Sequence, residues 1–511
     1  MSSFIGGQSN ELRFIDIATI APDGEYTLVV QATVIAGVGL GGSAGPADIS
    51  GRFTMRLDHL DDDGDGLFNT WEADGVDFEI DGNPELDLPG DGATVDRKDL
   101  FVEIDTHSDI NLQQSLLDRV ITSFDAAPVS NPSGIDGILL HMDLDESTLP
   151  NINYNQNYIT DEGNVKSQMR QQRGAFFGTA AQRNDDDADV LLKAKSLIYR
   201  YGVIGGLQTY TFLDENAIPK PKPRTIRVGG MGEIPGNDFI VTLRDPNDRP
   251  NDMAASIMHE LGHNLGLRHG GGDNINFKPN YFSVMNYMHA LERDNWGPRW
   301  NSNLQLDYSR AQLPNVDESS LSEPIGIGSN HPSSNGRLFA FANDNPINPI
   351  GSTRIWIADG SQNTPVDWDV DGSTTAVGIQ LDVSQSNMNS PESIDTHIGH
   401  DDWSNLYYKI RGSPNFTLGA IADGDSTLDL EVGEFSFEEN DLLNSMPVVY
   451  LDSTGACPSD LNTDGVLDFF DISAFLTAFS TQDPIADFNN DTLFDFFDIS
   501  AFLTAYGAGC P

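Results

Sequence analysis

His259, Glu260, His263 and His269 fall within one stretch, His259-Glu260-Leu261-Gly262-His263-Asn264-Leu265-Gly266-Leu267-Arg268-His269, and their types and spacing point to metal-assisted hydrolysis. On a helix, residues four apart share a face, so His259 and His263 can present two imidazole nitrogens to one ion. Glu260, one step round, can reach a water on that ion and serve as its general base. Gly266 can take the positive φ that ends a helix and turns the chain back, which brings in His269 as a third ligand. Three neutral ligands leave a position for water, and that separates a catalytic zinc site from a closed structural one. A core helix with two incidental histidines has no need of the glycine and the third histidine at these offsets. The chemistry implied is polarisation of a water and a scissile carbonyl by one Zn2+, with Glu260 taking the water proton and passing it to a leaving amine. No Ser/His/Asp ordering or reactive cysteine offers a rival nucleophile.

The elements that must hold these residues can be read from periodicity. Met253, Ile257, Leu261 and Leu265 recur every fourth residue to face a core, and Asn251 or Asp252 can cap the helix after the helix-averse Pro250. Residues 99–105 and 137–144 read as strands, and 239–243 as another just before the histidine helix. Residues 111–127 read as a helix with Leu112, Leu116, Leu117, Val120, Ile121 and Phe124 on one face. Downstream of the histidines stands Ser283-Val284-Met285-Asn286-Tyr287.

Together, the extended histidine motif and this methionine turn resemble the metzincin clan of zinc endopeptidases. The resemblance covers at most 95–310, and its specificity lies in 259–287. It implies that Met285 packs its sulfur beneath the histidine rings; Met288 competes for that role, but the surrounding SVMNY favours Met285. It also implies that Tyr287 is a switchable zinc ligand that swings to stabilise the transition state, the other reading being a core aromatic with a satisfied hydroxyl. No cysteine precedes the helix, which excludes a cysteine-switch latency. Protein or peptide substrates are expected.

Calcium is the second theme. Asp61-Asp62-Asp63-Gly64-Asp65-Gly66-Leu67-Phe68-Asn69-Thr70-Trp71-Glu72 matches an EF-hand loop: carboxylates from Asp61, Asp63 and Asp65, the Leu67 carbonyl, Asn69 at the ninth place and Glu72 as closer. A merely solvated acidic turn needs neither Gly66 nor Glu72 in register. The preceding residues 53–57 alternate like a strand, so flanking helices are doubtful. At the C-terminus one unit occurs twice. The first copy offers Asp460, Asn462, Asp464, Val466, Asp468 and Asp471, then a helix over 472–479. The second offers Asp487, Asn489, Asp491, Asp495 and Asp498, then a helix over 499–506. This pair resembles a dockerin, which implies a cohesin-like or cell-surface partner; a calcium-stabilised cap without a partner is the other reading. Thr492 stands where the second loop expects glycine, and Phe469, Phe470, Phe496 and Phe497 add unusual apolar bulk. Asp367-Trp368-Asp369-Val370-Asp371-Gly372 begins another such loop but lacks a closer. One zinc and about three calcium sites are expected.

The rest of the chain agrees. Its 78 acidic and 28 basic residues leave a net charge of −50, which disfavours nucleic acid and anionic membranes. No run is apolar enough to span a membrane. Cys457 and Cys510 bracket the duplicated unit, and a disulfide between them would suit an oxidising compartment. The start, Met1-Ser2-Ser3-Phe4, shows no secretory signal, yet calcium loops and a zinc protease argue for an extracellular or cell-surface location. The organisation expected is α+β. A β-sandwich-like segment spans 1–57, a calcium-loop region 58–94, and a metzincin-like domain with a twisted mixed sheet and zinc helix 95–310. A loop-rich, β-containing accessory region follows at 311–455, anchored by Trp403, and then a small helical dockerin-like domain at 456–511. His397 and His400 read as a solvated turn. The competing function is a calcium-dependent adhesion or scaffold protein whose zinc site is not catalytic.

Overall fold

The computed structural model describes residues 24–34, 47–57, 60–77, 82–160, 163–214, 222–243, 250–293, 305–328, 338–343, 354–359, 365–384, 394–413 and 448–451, with 459, 461, 469–481, 484–486, 488 and 494–508 of the C-terminal region. In the N-terminal part, β1 (Gly24–Val34) and β2 (Ala47–Leu57) pair antiparallel as one long hairpin, and this pair is what the described residues show of the expected sandwich. Leu57 ends β2 before the acidic loop, and the short α1 (Asn69–Asp74) begins within the loop and carries its last residues, Asn69 to Glu72.

Strand β3 (Asp99–Thr106) is buried along its whole length, and its two faces serve different cores. Leu100, Val102 and Ile104 point into one, Phe101 into the other, as in a strand covered on both sides. It lies within a five-stranded sheet of order β4-β3-β6-β10-β9, where β4 is Leu139–Leu144, β6 Tyr199–Ile204, β9 Gly230–Gly232 and β10 Asp238–Val241. Neighbours pair in parallel except β9, which runs antiparallel to β10 at the edge. A second sheet joins β5 (Asn153–Asn157) in parallel to β7 (Leu207–Asp214), and β7 antiparallel to β8 (Lys222–Val228).

Two helices cover the first face. Leu116, Leu117, Val120 and Phe124 of α2 (Gln114–Asp125) pack with Met253, Ala254, Ile257, Met258, Leu261 and Leu265 of the histidine helix segment. Helix α2 is shorter than 111–127 because Gln113 is extended, although Leu112 reaches the same core. The opposite face is covered by α3 (Val165–Phe176), then α4 (Ala180–Arg183) and α5 (Ala188–Ser196), with Leu67 and Trp71 of the acidic loop joining that core. The histidine helix, α6, spans Pro250–Asn264. The expected cap at Asn251 or Asp252 is therefore corrected: both lie inside the first turn, and Pro250 opens the helix, where its missing N–H costs nothing. Asp252 instead accepts a hydrogen bond from the Glu292 N–H at 2.7 Å.

Past the short α7 (Tyr287–Ala290) the described residues up to Leu451 are mostly irregular, with brief strands. β11 (Val316–Asp317) pairs with β16 (Thr396–His397), and β12 (Leu321–Ser322) with β15 (Val377–Ile379). β13 (Leu338–Asn343), β14 (Arg354–Asp359) and β17 (Val448–Leu451) form a sheet. One face of it, Leu338, Ala340, Ile355 and Ile357, packs on Tyr287 and Met288; the other packs on Trp368. Trp403 ties 401–413 back to the first core, donating to Asp307 Oδ1 at 2.9 Å and meeting Phe124 edge-on. In the C-terminal unit, α8 (Phe469–Thr481) and α9 (Phe496–Ala508) start earlier than expected, so Phe469, Phe470 and Phe496 sit exposed in first helical turns. The equivalent residues Phe475 and Phe502 stack at 4.1 Å, joining the two copies. No helix among the described residues is long and apolar enough to cross a membrane.

Candidate active site

The i,i+4 spacing on α6 sets the His259 and His263 rings 4.8 Å apart, and the helix then stops. Gly266 takes φ +87°, the Leu267 N–H returns to the Gly262 carbonyl at 2.9 Å, and the chain folds back. His269 arrives with its ring 5.3 Å from His259 and 5.0 Å from His263. One nitrogen from each of the three lies within 4.8 Å of the others. All three rings are buried.

Backbone carbonyls orient two of them. His259 Nδ1 donates to the Val284 carbonyl at 2.7 Å, and His263 Nδ1 to the Leu267 carbonyl at 2.8 Å. A carbonyl only accepts, so the proton sits on Nδ1 and Nε2 is the nitrogen that could hold a metal. Burial, with His263 and His259 adding to it, holds His269 well below the ordinary histidine pKa and keeps it neutral. A buried three-imidazole set, two of its tautomers fixed by carbonyls and the third ring held neutral, fits a zinc ion.

Met285 is buried against the histidine helix at Gly262. A side chain at Gly262 would collide with the Met285 sulfur and the Tyr308 hydroxyl, which accounts for a glycine inside the helix. Met288 packs elsewhere, against β13 and β14. The Tyr287 hydroxyl stands 2.8 Å from His269 Nε2, with its ring nearly parallel to that of His259 at 5.6 Å. Tyr287 therefore shares the cavity with the histidines.

Glu260 is buried beside β9, and its carboxylate occupies the space that a side chain at Gly230 would fill. The antiparallel edge strand thus passes the carboxylate at close range. The Asn264 side chain secures that relation, donating to the Glu233 and Asp238 carbonyls at 3.1 and 2.9 Å. Gly230 and Asn264 carry no chemical signature, and only a glycine opposite an acid would have hinted at them.

In the acidic loop, Asp61, Asp63 and Asp65 lie together, and Asp65, Glu72 and Asp99 form a second group sharing Asp65. Asp63 Oδ2 and both Glu72 carboxylate oxygens are buried without a hydrogen-bond partner. Burial, then Asp65, Asp63 and Asp99, pushes Glu72 up to about 9; burial is also the largest cause that takes Asp63 to about 7. Buried oxygens of this kind fit a hard cation with oxygen ligands such as calcium. Asn69 closes on the loop backbone, its Oδ1 accepting from the Asp62 N–H at 3.0 Å. The Leu67 N–H is held by Asp65 Oδ1 at 2.6 Å. Asp99, on β3, was not legible as part of this loop.

Of the C-terminal candidates, Asp471 and Asp498 are buried at the starts of α8 and α9, and the Asp495 N–H donates to Asp498 Oδ2 at 2.9 Å. Asp460, Asn462, Asp464, Val466, Asp468, Asp487, Asn489 and Asp491 lie outside the described residues, as do Thr492, Cys457 and Cys510. Beside Asp367, Asp369 and Asp371 the fold brings Glu323, 44 residues upstream of Asp367, with its carboxylate held by the Trp368 and Ala376 N–H groups at 3.1 and 2.8 Å. The solvated turn expected for His397 and His400 is corrected. His397 is fully buried, with Nε2 2.8 Å from Glu318 Oε1, because β16 carries it inward; His400 Nδ1 meets Asp402 Oδ1 at 2.8 Å.

Compared with family models, with curated proteins and with solved structures, the chain matches none.

Proposed function

We propose that this protein is a secreted zinc-dependent endopeptidase of metzincin type, stabilised by calcium and tethered or sorted through its duplicated C-terminal unit. The observation that carries the reading is the convergence of His259, His263 and His269 with Glu260 at their side and an edge strand running past it. Zinc, when bound there, supplies Lewis acidity and lowers the pKa of a water. Glu260 would serve as general base toward a water held at this site and would return the proton to the leaving amine. The buried setting strengthens both transfers by excluding competing solvent. Tyr287, already within hydrogen-bond reach of the cluster, turns its hydroxyl to the developing oxyanion. Strand β9 ends the sheet among the described residues, so an extended substrate adding to it by backbone pairing would lie alongside Glu260. The shared stack of Phe475 and Phe502 holds the two tail copies as one unit, consistent with a dockerin-like module.

The test compares wild type with Glu260→Gln on an unstructured protein substrate, in excess calcium, with zinc content measured in both. Cleavage by the wild type alone, at equal zinc, is the expected result. Zinc in both and cleavage by neither would favour a calcium-dependent scaffold or adhesion protein with a structural zinc.

A further inference from the structure

The acidic loop does more than coil around its own carboxylates. Its Asp65 accepts from the Asp99 N–H at 2.7 Å, and the Asp63 carbonyl accepts from Lys98, so the loop is stitched to the first residues of β3. The Asp99 side chain is itself fixed, with Oδ2 accepting from the Thr94 N–H at 2.8 Å and Oδ1 2.5 Å from His141 Nε2. It faces Asp65 and Glu72 from outside the twelve-residue motif. Acidic neighbours alone would mean little. The independent observation is Glu72, 2% exposed, with both oxygens buried and no hydrogen-bond partner on either. A buried carboxylate aimed at two others, Asp65 and Asp99, calls for a cation.

The loop also touches a remote strap. Its Gly66 carbonyl accepts from Arg411, whose guanidinium covers Phe68 at 4.5 Å and Trp71 at 4.6 Å. Four residues earlier in the strap, the Tyr407 N–H donates to the Leu265 carbonyl at 2.7 Å. Leu265 immediately precedes the Gly266 turn that delivers His269. Arg200, buried beneath, braces the strap through the Tyr408 carbonyl at 3.3 Å.

We infer that Asp61, Asp63, Asp65 and Glu72, with Asp99 of β3, form one calcium site shared between loop and sheet, and that its occupancy holds the 407–411 strap against the turn that positions His269. The second half rests on the proposed zinc reading; the first does not. Calcium fits better than magnesium because it takes a large, flexible set of carboxylate oxygens, whereas magnesium keeps several waters and few carboxylates.

Terbium separates the two halves experimentally, since Trp71 lies in the loop and can sensitise a bound lanthanide. In the full chain, Glu72→Gln should weaken the calcium-displaceable terbium signal by about 100-fold and Asp99→Asn by about tenfold. Trp368 flanks the other acidic turn, so the signal is taken as the difference from Trp71→Phe, which removes the loop's own sensitiser. Terbium binding by Glu72→Gln equal to wild type overturns the site, and unchanged binding by Asp99→Asn overturns its sharing with the sheet. Zinc release to a chromophoric chelator should slow about tenfold when calcium is added, and Arg411→Ala should lose that effect while still binding terbium. Zinc release indifferent to calcium in the wild type overturns the coupling. A wild type that takes up no zinc sinks the protease reading, while the terbium arm still reads the calcium site.

Discussion

The histidine cluster and the acidic loop both gather buried groups that could hold an ion, yet they are built on opposite principles. The first gathers three imidazoles, two with their tautomers fixed by backbone carbonyls and the third held neutral by burial, so its groups do not depend on an ion to avoid mutual charge repulsion. The second gathers carboxylates that repel one another and leaves Glu72 without a partner. A neutral site can be preorganised at little cost, whereas an anionic one depends on its ion for stability. Metal at the histidines should therefore govern chemistry, and metal at the loop should govern the fold.

The largest effect that tests this division is catalytic. Glu260→Gln should reduce turnover about 10³-fold with zinc content unchanged, read by cleavage of an unstructured protein and metal analysis of the same sample. Equal turnover would end the assignment of Glu260 as base. Next comes tyrosine: Tyr287→Phe should lower kcat by about 10–100-fold and leave KM near its starting value. A rise in KM alone would instead place Tyr287 in substrate binding.

Metal removal contrasts the two sites directly. Selective chelation of calcium should lower the melting temperature by about 5–10 °C, and removal of zinc by less, in scanning calorimetry of each form. The reverse order would invert the comparison.

A pH series sharpens it further. Glu72 and Asp63 have pKa values raised in the calcium-free fold above their unfolded range. The stability they favour is thus fully present below about pH 4, the unfolded carboxylate range, and is lost as pH rises through about 7 for Asp63 and about 9 for Glu72. Calcium-free protein should weaken over that window, and calcium should remove the slope. Glu72→Gln should flatten most of it without calcium, as followed by urea unfolding at successive pH values. The smallest change is expected of Met285→Leu, which keeps volume against the histidine helix and should cost under about 1.5 kcal/mol in the same unfolding assay.

Local patterns made part of this molecule legible in advance. The i,i+4 histidines and the apolar stripe through Leu261 and Leu265 depend only on helical geometry, and they lie where that geometry puts them. The strand at 99–105 and the loop from Asp61 to Glu72 were equally readable, because their residues are neighbours in the chain. Misreadings came where burial was decided from afar. His397 looked like part of a solvated turn until pairing with β11 took it inside, and Asp367, Asp369 and Asp371 lacked a fourth carboxylate until Glu323 came from another strand pair.

The sequence by itself thus determined which groups could do chemistry: three imidazoles, one base, and loops of carboxylates at fixed spacing. Only the tertiary structure decided what surrounds them. It set Gly230 against Glu260, the Met285 sulfur under Gly262, Asp99 against Glu72, and Tyr407 on the Leu265 carbonyl. The reason is physical. Spacing within a helix or loop is set by covalent geometry, whereas contacts across 20 to 140 residues arise only when the sheet and its two cores close.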